Sequence, residues 1–89
     1  MAKWLRIDGT LTDINILDRP KRDMLPFLQG LVAGYIECVS LDDGWCLIVN
    51  EDGLVYGFEK NLVASVMTGQ HIVGDAVILT ADETEYVLH

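Results

Sequence analysis

Three cations, Arg19, Lys21 and Arg22, stand just ahead of a run with helical spacing. Guanidinium groups fork onto phosphate or carboxylate oxygens, and the free N–H groups at the start of a helix attract the same anions. The cluster therefore points to capture of a small anionic ligand, against the plainer reading of a solvated loop that offsets the acidic remainder of the chain. Aromatic side chains offer a second kind of chemistry. Trp4, Tyr35, Trp45 and Tyr56 fall in apolar runs that read as strands. On a covered sheet face such rings are packing, whereas on an open face they make a stacking platform or a protein contact.

Acid–base and nucleophilic catalysis find little support. His71 and His89 are the only histidines, and a lone histidine beside an apolar run is commonly structural. Ser40 and Ser65 lack the context of a nucleophile elbow. Asp42, Asp43, Glu51 and Asp52 lie in turn sequences, where acids serve local hydrogen bonding. No Cys/His pair has zinc spacing, and no glycine-rich loop has the spacing of a phosphate cradle. The expectation is a protein that is not an enzyme, with no cofactor and no metal.

The chain has 89 residues and a net charge of −8, unevenly spread. Residues 1–23 hold five of the six basic residues, while residues 24–89 hold ten acids against Lys60 alone. Such a surface repels nucleic acid, so direct nucleic-acid binding is not expected. A basic partner is compatible with it, and so is mimicry of DNA in the groove of a DNA-binding enzyme. No apolar stretch approaches the roughly 20 residues of a membrane span. The start, Met1-Ala2-Lys3-Trp4-Leu5-Arg6, has no apolar leader core. A cytoplasmic location is expected, with Cys38 and Cys46 as free, mostly buried thiols. A turn over residues 42–44 would nonetheless let the two cysteines face each other.

The elements that must position these residues follow from turn signals in a single domain, residues 1–89. Asp8-Gly9 sits between alternating runs and predicts a hairpin of residues 3–8 and 11–17. Asp23 is placed to cap a helix over residues 24–32, with Met24, Leu28, Leu31 and Val32 as its buried stripe and Gly34 as its left-handed end. Residues 35–41, 45–49 and 54–58 read as a three-stranded meander. Its central run Trp-Cys-Leu-Ile-Val is apolar on both faces. Asn61 caps a second helix, residues 62–68, with Leu62, Val63, Val66 and Met67 as its apolar stripe. Residues 76–80 form another strand, residues 81–85 an acidic turn, and residues 86–88 an edge strand or a frayed tail. The order ββ-α-βββ-α-β(β) predicts an α+β fold, one mainly antiparallel sheet with both short helices packed on one face.

Four segments carry a family likeness in order. They are Gly34-Tyr35-Ile36-Glu37, Val49-Asn50-Glu51-Asp52-Gly53, Gly57-Phe58-Glu59-Lys60-Asn61 and Ile72-Val73-Gly74-Asp75-Ala76. The pattern resembles a family of small domains of unknown function found in bacteriophages and mobile elements. That family shows GGYIE, VNEEG, GLPxN and IVGD at these places. Ala33 replaces the first glycine of GGYIE, and Phe58-Glu59 replaces the Leu-Pro of GLPxN. The resemblance implies an accessory protein acting in a host cytoplasm, and marks Tyr35, Glu37, Asn50, Glu51, Asn61 and Asp75 as its polar residues.

Together these readings predict a non-catalytic binding protein with an anti-defence or host-takeover role. It would sequester a nucleotide-type signal or dock on a host protein. In the first case Arg19, Lys21 and Arg22 hold phosphates, Tyr35 or Trp45 stacks, and Glu37, Asn50 and Asn61 complete the site. A DNA mimic and a structural subunit are the alternatives. If the helices cover one sheet face, Trp45, Leu47 and Val49 leave the other open, and a homodimer is the commonest way to bury it.

Overall fold

Asp8 and Gly9 turn the chain as their types suggest. Gly9 takes φ +87° and donates its N–H to the Arg6 carbonyl at 2.9 Å, while the Asp8 carboxylate accepts from the Thr10 N–H at 2.8 Å. In the computed structural model, which describes residues 1–89, this turn joins β1 (Ala2–Leu5) to β2 (Leu11–Ile14). Both strands are shorter than the alternation predicts, but Ile14 and Ile16 share the buried side as expected.

A 3-10 turn, Lys21–Asp23, leads into α1 (Met24–Val32), which buries Met24, Leu28 and Val32. The Asp23 side chain makes no cap bond. The preceding turn already sets the approach of the chain, with the Asp23 N–H donated to the Pro20 carbonyl. The helix ends on Ala33 rather than Gly34: Ala33 is left-handed at φ 63°, ψ 39°. Gly34 is needed for a different reason. A Cβ there would lie 2.7 Å from Nδ2 of Asn50.

β3 (Ile36–Ser40) and β4 (Cys46–Asn50) pair as predicted around the turn Asp42–Gly44. The third strand of the meander does not form. Residues 53–56 make a single helical turn, α2 (Gly53–Tyr56), because β4, the strand they would pair with in a meander, has both edges taken. β4 is flanked by β3 and by β5 (Ala76–Leu79), and β5 in turn pairs with β1. The sheet is five-stranded and antiparallel throughout, in the order β2-β1-β5-β4-β3. This bears out the α+β reading and its single antiparallel sheet.

The helices, however, lie on both faces. α1 and α4 (Ala81–Leu88) cover one, with Ala2, Ile48, Val77 and Leu79 among the residues beneath. α3 (Leu62–Thr68) covers the other, where Leu5, Leu47, Val49 and Ala76 pack with Ala64 and Ile72. The expected open face at Leu47 and Val49 is therefore closed by the chain itself. The acidic turn and tail of the prediction are the helix α4. Thr80 caps it by accepting from the Glu83 N–H, Glu83 reaches back to the Thr80 N–H at 2.9 Å, and its second oxygen takes the Ala2 N–H at 2.7 Å. The cysteines also depart from expectation. Cys46 is buried, but Cys38 is exposed on the edge strand. Their sulfurs meet diagonally across β3 and β4 as a disulfide, with the Cα atoms 6.2 Å apart.

Candidate functional site

The basic loop is exposed, but two of its three cations lie against aromatic rings. The Arg19 guanidinium stacks 3.8 Å from the centroid of Phe27, and its Nε donates to the Asn15 carbonyl at 2.9 Å. Lys21 Nζ stands 5.7 Å from the Tyr86 ring, whose hydroxyl donates to the Arg19 carbonyl. Exposed cation–π contacts of this kind contribute about 0.5–1 kcal/mol each. They fasten the loop to α1 and α4. Arg22 alone of the three makes no such contact and is exposed.

The two asparagines point inward. Asn61 is fully buried, with Nδ2 donating to the carbonyls of Leu5 at 3.1 Å and Gly74 at 3.0 Å, and Oδ1 accepting the Ala64 N–H that starts α3. The expected cap is therefore present, and both amide hydrogens are occupied as well. Asn50 donates to the Val32 carbonyl at 3.0 Å and accepts from the Asp52 N–H at 2.7 Å. Buried polar groups of this sort are structural when every bond is made within the chain.

Tyr35, Glu37 and Trp45 are exposed, but they line three different hollows. Tyr35 borders one with Gln29 and Tyr56. Glu37 borders a small one with His71, and Trp45 a larger one with Met67. The residues expected to form one ligand site are thus not brought together.

The motif segments do converge, at one end of the sheet. The Gly74 N–H donates to the Glu59 carbonyl at 2.8 Å, and the Phe58 ring lies where a Gly74 Cβ would be. Asp75 accepts the Ile7 N–H at 3.0 Å, and the Glu51 N–H is donated to the Tyr35 carbonyl at 2.8 Å. The motifs therefore lock the loops together. Between them lies an apolar crevice of about 220 Å³ lined by Ile7, Leu31, Ala33 and Phe58, with Glu59 and Asp75 at its rim.

What sequence reasoning missed is a surface. The expected stripe of α3 faces outward: Leu62, Val63, Val66 and Met67 are all exposed, Val66 by 76%. Ala64 and Ser65 face the sheet instead. Small side chains let the helix approach closely, and Ser65 Oγ then bridges to the backbone of Ile72, accepting its N–H at 2.9 Å and donating to its carbonyl at 3.1 Å. Leu54, Val55 and Tyr56 of α2 are exposed too. The adjacent pair of small residues, Ala64-Ser65, is the signal that was available.

No three His, Cys, Asp or Glu side chains gather to hold a metal ion. No helix is long and apolar enough to cross a membrane. Asp13 and Asp8 have carboxyls held below the usual aspartate range, the first by the hydrogen bond and charge of Lys3, the second by its bonds to Thr10. Both lie on the hairpin at the opposite sheet edge from β3.

Fold and surface together define a small antiparallel α+β domain whose polar motif residues brace its loops and whose second layer turns apolar side chains outward. The chain belongs to the family described as Domain of unknown function (DUF3846), which matches residues 5–88. The motif likeness read from the sequence is borne out at that level. No curated protein and no solved structure matches the chain.

Proposed function

We propose that this chain is a non-catalytic accessory protein that works by docking on a partner protein, in the setting of a phage or mobile element acting inside a host cell. The observation that carries the reading is the outward turn of α2 and α3. Seven large apolar side chains there, Leu54, Val55, Tyr56, Leu62, Val63, Val66 and Met67, are exposed. Large apolar side chains left exposed in such number on a small domain point to an interaction site. Capture of a nucleotide signal has less behind it, since Arg19 and Lys21 are engaged with rings and Asn50 and Asn61 are turned inward.

Val66→Glu on the outer face of α3 tests the reading. The wild type is expected to retain a defined protein partner through purification from a host cell, and the variant to lose it while keeping the wild-type circular dichroism spectrum. Light scattering on the purified chain decides whether that partner is a second copy. Retention of a nucleotide-sized molecule in native mass spectrometry, with no protein partner affected by the variant, would overturn the proposal.

A further inference from the structure

β3 is the outermost strand on its side of the sheet, so its outer backbone groups have no strand partner. It lacks the usual protections of such an edge. Residues Ile36–Ser40 contain no lysine and no proline, and the single inserted charge is Glu37. On the face shared with α3, two hollows follow one another along this strand. The first, about 100 Å³, has Glu37, Val39 and Leu54 in its lining. The second, about 590 Å³, is lined by Leu41, Trp45 and Met67, with Asp42 and Asp43 at its mouth. Apolar side chains thus recur along the strand among polar ones and carboxylates. No lysine or arginine lines either hollow. The chain's one ion pair, Lys3–Asp13, is at the opposite edge, so Glu37, Asp42 and Asp43 are all without a cation of their own.

We infer that the β3 edge and its acidic trough receive an extended basic segment of a partner protein, one in which lysine or arginine alternates with apolar residues. The segment adds to β3 as a strand, since an exposed edge offers backbone hydrogen bonds in register. Alternate side chains of an added strand point to the same face. Its cations then lie on the face shared with α3, their stems over Val39 and Leu41 and their heads at Glu37, Asp42 and Asp43, and its apolar set lies on the other face beside Ile36 and Cys38. A cation at the far end also meets the Trp45 ring. A second copy of this chain is a poor occupant, because residues 24–89 hold ten acids against Lys60 alone. The inference rests on the protein-docking reading and specifies a second contact next to α3.

The test uses the whole chain and a labelled ten-residue peptide alternating arginine with valine, beside a control alternating glutamate with valine. The arginine peptide is expected to bind, more weakly as salt rises, and to protect the amides of residues 36–40 from hydrogen exchange. A triple variant, Glu37→Gln, Asp42→Asn and Asp43→Asn, is expected to bind it about tenfold more weakly. Asparagine tolerates the left-handed backbone of Asp43 (φ 60°), so the turn survives. Asp8→Asn with Asp13→Asn, on the hairpin at the opposite edge of the sheet, is expected to leave binding unchanged. Equal loss in both variants would mean that net charge alone binds the peptide, and would overturn the proposal. So would binding without protection of β3, or equal binding of the glutamate peptide. These outcomes leave the effect of Val66→Glu on the purified partner untouched, so failure of the trough is separable from failure of the docking reading.

Discussion

Ala33 holds a left-handed backbone that costs an L-residue about 1–2 kcal/mol, while glycine adopts it freely at some cost in chain entropy. It is also the position where the family pattern places glycine. Ala33 is exposed, so no packing is lost on removing its methyl group. Ala33→Gly is expected to raise unfolding stability by about 0.5–1 kcal/mol, seen as a higher urea midpoint with unchanged slope. Asn61 shows the opposite balance. Asn61→Ala removes a helix cap and two buried donors at once and is expected to cost about 3 kcal/mol. Asn61→Asp keeps the cap acceptor but loses both donors beside the Leu5 and Gly74 carbonyls. It should be destabilising too, and equal stability of aspartate and asparagine in urea melts would count against the dual role. Asp8 and Asp13 have folded pKa values below the ordinary aspartate value. Their contribution to stability is complete above that ordinary value and is lost as pH falls through the folded ones. Carboxyl NMR titration should find both resonances moving at lower pH than that of an unpaired aspartate.

Among the elements, α4 depends most on a few atoms. Its capping box and the bond from the Ala2 N–H all use Glu83, which is 3% exposed. Glu83→Ala is expected to cost about 2–3 kcal/mol and to speed hydrogen exchange at Ala2 before the amides of β4. Thr80-Ala81-Asp82-Glu83 is a legible capping box, yet its acids also suit a turn, and the helix after it offers only Tyr86, Val87 and Leu88 as large apolar residues. The first hairpin, α1 and the Asn61-capped helix were legible because their signals are local: a turn dipeptide, a spacing, a cap. The failure at residues 54–58 has a non-local cause. Leu54-Val55-Tyr56 suits a strand, but both edges of β4 are taken, one of them by a strand made some twenty residues later. The facing of α3 likewise depends on how closely the helix must approach Leu47, which spacing alone does not reveal. The candidate site was legible only in part. Glu37 and Trp45 border the trough, but the basic loop and the asparagines are claimed by contacts that the linear sequence does not display.

At the scale of the whole molecule, a net charge of −8 is opposed by a single ion pair. Self-repulsion of that kind weakens the compact state and is screened by salt. The thermal midpoint at neutral pH is therefore expected to rise when monovalent salt is added, and a midpoint that falls would show that local pairs outweigh the acidic excess. The order of synthesis adds another constraint. β5 is the last strand to be made but occupies the centre of the sheet, between β1 and β4. Until residues 76–79 leave the ribosome, the β1–β2 and β3–β4 hairpins have nothing to join them. The inner edges of both wait unpaired, with Leu5, Leu47 and Ile48 still in water. Such edges invite pairing with a neighbouring chain. A chain cut short after residue 75 would therefore display two sticky halves of one sheet, each as ready to pair with a stranger as with the other.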